Sequence, residues 1–435
     1  MNYYILPKNT FNINIELKLK NEHIKPYISY SLIYYLNNIY NQLTNIEDTL
    51  DAKNNDFETN DNILFESINK VVNPFEFIHT NVPGSLLSVS KVKPDANIFF
   101  ELMEIFQLLN INDMLLLNRK YNIAHLTPNH SSTNYLLNMI REDNDDFIIC
   151  QDFDYNKIYE IFITNKFEKK LDLFICEFQD ICYNDTNKYI KNMLLIFSLV
   201  VKYQSNDGML IIKIDNIFYK PIIDILFVLS SLYDKVYVVK PVISNITKSE
   251  RYIICKNFNT NVLNTTNLLQ QIEEKIVVKL SNSLLKYNYI DSILTNDIPY
   301  YFLNKLEDSN AVIGQQQLEA YSQIINIYKN KNRDDKIETL KKLHIQKCIQ
   351  WCEKNQLPHN KFIDKVNIFL TTKNNETNII HKDQVQDQVK NQDKVQDHVQ
   401  DHVQDHVQDQ VKNQVQDQVQ DQVQDQVQDQ DQVQD

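Results

Sequence analysis

The stretch VYVVKPVISNITKSERYIICKNF, residues 236–258, sets two short apolar runs around a polar connection. VYVV and YIIC are β-branched and aromatic, so each reads as a strand, and Pro241, Ser244, Asn245 and Thr247 mark the connection between them. The pattern predicts a long hairpin. Its mouth carries Lys240-Pro241 on one side and Ser249-Glu250-Arg251-Tyr252 on the other. A charged cluster at such a mouth is commonly a solvated loop, so its meaning depends on what precedes it.

Upstream, from about residue 62, short apolar runs alternate with longer amphipathic segments: FEFIHT (75–80), FIICQ (147–151), LDLFICE (171–177), MLIIKI (209–214) and KVYVV (235–239). TNKYIKNMLLIFSLVVKYQ and KPIIDILFVLSSLY, between the last three, have helical length and period. This order predicts an α/β fold, a mostly parallel sheet covered by helices, with strand 251–256 folding back as the antiparallel closing strand. Residues 1–61 read as an N-terminal extension that includes a helical stretch, YISYSLIYYLNNIYNQL. Residues 259–382 read as a C-terminal helical region and residues 383–435 as a low-complexity tail.

With 435 residues and 43% hydrophobic content, the chain is long and apolar enough for sizeable buried cores. No apolar run reaches the roughly 18 residues of a membrane span, and the start lacks a signal-peptide pattern. The expectation is an intracellular protein, with no membrane partner. The six Cys are scattered through apolar runs and helical stretches, which suits reduced thiols. Of the formal charge of −13, the tail from Asp383 carries 13 Asp and 3 Lys, leaving about −3 on residues 1–382. Net charge therefore does not argue for nucleic acid, and a basic groove would have to be local. The repeated Val-Gln-Asp-Gln of the tail has too little apolar surface to offset its ordering entropy. His398, His402 and His406 belong to those repeats, and His344, Cys348 and Cys352 share a helix face with Trp351 and Ile345 beside them. The first set reads as repeat units and the second as a core stripe, so no metal site is assigned.

Two positions point to chemistry. Lys213 stands inside the apolar run GMLIIKI, where desolvation is costly unless the ammonium emerges at the strand end beside an acid. Glu177 ends the neighbouring strand and Glu250 opens the returning one, so Lys213 is expected between two carboxylates, either as a tuned proton acceptor or as a structural ion pair. Carboxyl ends of parallel strands are where open α/β sheets bind ligands. Gly84, with Pro83 before it and Ser85 after it, is read as following the first strand and opening a helix, where backbone must turn sharply or approach a cofactor. Gly208 reads as an ordinary turn.

Together, the Pro-Gly loop, the acid ending LDLFICE, the lysine in LIIK and the KPVISNITKSERYIIC segment resemble the FtsJ-like RNA ribose 2′-O-methyltransferases. The similarity is to the branch carried by large DNA viruses and related to cap-specific enzymes, and spans roughly residues 62–258. The resemblance implies a Rossmann-like fold that binds S-adenosylmethionine and a Lys-Asp-Lys-Glu tetrad that deprotonates a ribose 2′-hydroxyl. Lys213 matches the central lysine, Glu250 the glutamate, and Glu177-Phe178 the family's Asp-Gly. Pro83-Gly84-Ser85 matches the Pro-Gly-Gly cofactor loop and Asp152 the acid on the adenine side. A first lysine is implied on the helix before strand one, but no residue of NILFESINKVVN is assigned to it: Phe65 stands near the place and Lys70 lies close to the strand. The implied partner is RNA, capped messenger included, with a protein partner through the helical region. Two functions follow: S-adenosylmethionine-dependent ribose 2′-O-methylation, or a non-catalytic descendant that serves as an RNA-binding or scaffold subunit.

Overall fold

The computed structural model describes residues 2–10, 13–53, 68, 70–115, 119–141, 145–150, 157–158, 161–162, 169–178, 185–265, 267–277, 289–330, 334–360 and 362. The low-complexity tail and Asp152 lie outside the described residues.

Strands β3 (Asn122–Leu126), β4 (Asp146–Cys150), β5 (Leu171–Glu177) and β6 (Gln204–Ile214) run parallel, in the spatial order β6-β5-β3-β4. β8 (Arg251–Phe258) pairs antiparallel with β6 on one side and with β7 (Tyr233–Lys240) on the other. The hairpin of residues 236–258 thus closes an α/β sheet of the Rossmann-like type, as the alternation of apolar runs and amphipathic segments predicts. The central strands β5 and β6 are apolar on both faces because helices cover both. Phe174, Cys176, Leu210, Ile212 and Ile253 pack on one side with α4 (Thr186–Tyr203) and α5 (Lys220–Leu232). Leu173, Ile175, Met209, Ile211 and Ile254 pack on the other with α2 (Ile98–Leu108), α3 (His130–Ile140) and α7 (Asp334–Lys354). Local signals set the helix starts: the Asp185 carboxylate accepts from the Asn187 and Lys188 amides to cap α4, and Pro221 sits in the first turn of α5.

Three expectations are corrected. FEFIHT is not the first strand: Glu76–Ile78 forms a single 3₁₀ turn, fixed by the Asn73 amide donating to the Glu76 carboxylate at 2.9 Å and the Thr80 hydroxyl donating to the Glu76 carbonyl. The strand that holds first place is β3, NIAHL. Consequently Pro83-Gly84-Ser85 is not a strand-to-helix loop. Ser85 N–H donates to the Val82 carbonyl at 2.9 Å and Gly84 has φ +79, a type II turn with Pro and Gly at its two central positions. Finally, residues 1–61 are more than an extension. β1 (Asn2–Leu6) joins the seven-stranded sheet beside β7, and β2 (Ile15–Lys20) pairs with β9 (Tyr289–Leu294). Those residues and the C-terminal helices share one compact unit, Met1–Phe369. There α1 (Tyr30–Lys53) lies so close to α6 (Tyr300–Lys329) that a Cβ at Gly314 would collide with Leu32.

Candidate active site

Alternation along β5 and β6 sends Glu177 and Lys213 to the face covered by α2, and the strand register sets Lys213 opposite Glu177 on one side and Tyr252 on the other. Glu250, just before β8, completes the arrangement. Lys213 Nζ lies 3.1 Å from Glu101, 3.3 Å from Glu250 and 3.4 Å from Glu177, at the carboxyl ends of β5 and β6. The structure therefore brings together Glu177, Lys213 and Glu250 and adds a third acid, Glu101 of α2. Each acid is tied down separately. The second oxygen of Glu177 accepts from the Thr127 hydroxyl and the Asn129 amide, both at 2.9 Å. Glu101 accepts from the buried Tyr252 hydroxyl, and Glu250 meets Lys248 at the rim at 3.4 Å.

The electrostatics follow from this crowd. Burial on its own would lower the Lys213 pKa, but the carboxylate of Glu101, with Tyr252, Glu177 and Glu250, more than offsets it and holds the ammonium well above its ordinary value. Burial would raise the Glu250 carboxyl, yet Lys213 and then Lys248 keep it below the usual range. One buried ammonium thus faces three carboxylates, with Lys248 at the rim and Lys240 behind Glu250.

The rest of the hairpin mouth is structural. Lys240 Nζ donates to the carbonyls of Lys248, Glu250 and Asn245 at 2.7, 3.0 and 3.2 Å, and burial, then the Arg251 charge, pushes it down to about 7. Arg251 is fully buried and donates to Asn310 of α6 at 2.6 Å, while the Ser249 hydroxyl donates to Asp215. The charged run Ser249-Glu250-Arg251-Tyr252 is therefore no solvated loop.

Residues 129–258 match the family model described as FtsJ-like methyltransferase. The chain carries an FtsJ-like methyltransferase domain. A relative is an uncharacterised protein of Acanthamoeba polyphaga mimivirus, 23% identical over 234 residues, covering 53% of this chain and 57% of that protein. The match spans little more than half of that relative's length. Similar solved structures include a putative ribosomal RNA methyltransferase of Plasmodium falciparum, 18% identical over 38% of this chain and 97% of that one, with a TM-score of 0.28. Human methyltransferase-like protein 13 in complex with SAH is 10% identical over 40% of this chain and 90% of that one, with a TM-score of 0.23. At these scores the likenesses add no functional argument.

Within the FtsJ-like domain, placing β3 as strand one changes the carry-over of the motifs. The long helix ahead of strand one is α2, separated from it by the short helix Ile111–Leu115, and from α2 it is an acid, Glu101, that reaches Lys213 where the resemblance implies a lysine. The loop after strand one is Thr127-Pro128-Asn129-His130, with Asn129 and His130 where the Pro-Gly-Gly pattern has glycines. Thr127 and Asn129 turn their side chains onto Glu177, and Asn129 N–H donates to the Thr127 hydroxyl at 3.0 Å. These bonds link the ends of β3 and β5, where an open sheet leaves its ligand crevice. The residues present do not fit S-adenosylmethionine as the family pattern would hold it. Phe178 is buried in the core edge-on to Tyr189, on the opposite face from Glu177. It fills the glycine position of Asp-Gly without lining the Lys213 site. Glu101 had a signal in the sequence: in IFFELMEIFQL Glu101 and Glu104 are the only charged residues of a largely apolar helix, and both are buried.

Proposed function

We propose that this FtsJ-like domain no longer methylates ribose and serves as a non-catalytic RNA-binding subunit. The observation that carries the reading is the set of three carboxylates around Lys213. Ribose methylation in this family requires, as the resemblance implies, a lysine that takes up the proton of a 2′-hydroxyl with a second cation near it. Here the second cation's position holds Glu101, and Lys213 is fixed in its protonated form. A lysine held that way is a poor proton acceptor. Losing one preorganised group commonly costs about a hundred- to a thousandfold in rate.

The second reading, S-adenosylmethionine-dependent 2′-O-methylation of RNA, including capped messenger, is favoured by the convergence of Glu177, Lys213 and Glu250 at neighbouring strand ends. The deciding experiment is transfer of a labelled methyl group from S-adenosylmethionine to capped and uncapped RNA, beside the same assay on Lys213→Ala. The expected result is no lysine-dependent transfer. Robust transfer by the natural sequence that disappears in Lys213→Ala overturns the non-catalytic reading.

A further inference from the structure

Three cavities adjoin along one side of the compact unit. One of about 520 Å³ lies between the outer face of α6 and the start of α7, at Lys336. The next, about 270 Å³, shares Glu319 and Gln323 with it and is walled by the hairpin loop from Lys240 to Val242. The third, about 440 Å³, shares Phe75 and Val242 with the second and runs between α2 and the far half of α7, at Lys347 and Lys354. Shared walls make them one groove, bordered along much of its length by α7.

We propose that this groove binds single-stranded RNA, which rests on the reading above that RNA is the partner. Lys336, Lys347 and Lys354 are separated by close to whole numbers of helical turns and form one row along α7, roughly 27 Å long at 1.5 Å rise per residue. Among the described residues none of the three makes an ion pair. Two acids line the groove: Glu319, and the buried Glu104, which accepts from the Val242 and Ile243 amides and the Trp351 indole and also interacts with Lys354, so the three lysines of the row outnumber the acids. A line of cations along a groove tracks a phosphate backbone. Between the cations, Gln316, Gln323, Asn326 and Gln350 offer paired donors and acceptors to base edges, and Phe75 offers an aromatic face for stacking. The walls are helices and a loop, so no strand edge is offered to an extended peptide, and the lysines and amides interrupt the apolar stripe that a docking helix requires.

The test is fluorescence anisotropy of a labelled oligouridylate titrated with the full chain at several salt concentrations. The triple charge reversal Lys336→Glu, Lys347→Glu, Lys354→Glu is expected to weaken binding at least about tenfold and to flatten the salt slope by about 2, at roughly 0.7 per lost phosphate contact. Lys336→Gln with Lys354→Gln, both at exposed positions, gives a smaller loss in the same direction should the triple variant unfold. Lys18→Glu, an exposed lysine outside the groove, leaves binding unchanged. If the natural chain binds RNA and the groove variants bind equally well, the groove is wrong while the RNA reading stands. If the natural chain does not bind single-stranded RNA, both fall. Binding of an oligoglutamate peptide that RNA fails to displace makes this a peptide site and overturns the proposal.

Discussion

Lys213 and Glu101 face each other across the boundary between sheet and helix layer, ammonium to carboxylate, at 3.1 Å. The contact is shorter than those Lys213 makes with the two acids of its strand neighbours, so α2 is part of the site and not only its cover. Removing the cation leaves the three acids facing one another, with only Lys248 among the described residues, at the rim, still paired to one of them. Lys213→Met should lose about 3 kcal/mol or more of stability at neutral pH, the scale for breaking a buried ion pair. Because the folded-state pKa of Lys213 is raised, its contribution is fully present below the ordinary lysine value and is lost only as pH climbs through the raised one. In the variant the orphaned carboxylates take up protons, so the deficit should shrink between neutral pH and about pH 4. Urea unfolding of both proteins at the two pH values checks this, and a pH-independent deficit contradicts it.

Lys240 should show the opposite sign. Its folded pKa of about 7 lies below the unfolded one, so the stability it contributes is present above the ordinary lysine pKa and is lost as pH falls toward 7. Relative to Lys240→Met, the natural protein should gain stability as pH rises from 7 to 10. At pH 6 the variant should still be weaker by about 1–3 kcal/mol, the cost of buried carbonyls left without a donor. Denaturant midpoints across that range provide the measurement.

Gly84→Ala separates a turn from a cofactor loop. No atom lies within 4 Å of a Cβ built there, so the cost comes only from φ +79 and should be about 1 kcal/mol. A melting temperature lowered by a few degrees, with ligand binding unaltered, is the expected outcome.

Gly314→Val should do more, since its side chain must displace Leu32 between α1 and α6. Overpacking of this kind costs about 1–3 kcal/mol. The measurement is thermal unfolding, and Leu32→Ala introduced alongside should recover part of the loss.

The halves of the sheet differ in how readily the sequence discloses them. LDLFICE and MLIIKI announce buried strands because they are apolar on both faces. NIAHL hides, with five residues, one Ala and a His next to its end. That His125 is fully buried, accepts or donates at the Thr133 hydroxyl at 2.7 Å, and has its pKa pushed down by burial to about 3, so it behaves as a core residue. FEFIHT carries better strand composition than NIAHL but is spent on a 3₁₀ turn, because local bonds from Asn73 and Thr80 close on Glu76. Taking FEFIHT as strand one displaces the cofactor loop and the helix before it and so hides Glu101, whereas strand ends alone suffice to bring Glu177, Lys213 and Glu250 near one another. β1 is illegible for another reason: nothing in NYYIL states that its partner, β7, lies far along the chain.

That pairing has a consequence for biogenesis. Asn2 meets Lys240 and Leu6 meets Val236, so β1 leaves the ribosome long before the neighbour it pairs with. At roughly 5–20 residues per second, NYYIL waits on the order of ten seconds or more with its apolar edge open before β7 is even synthesised. Such nonlocal closure slows folding and exposes a nascent strand to wrong partners. A blocking tag placed directly before Tyr3 should therefore reduce the soluble yield of the newly made protein far more than it reduces the stability of molecules that have already folded.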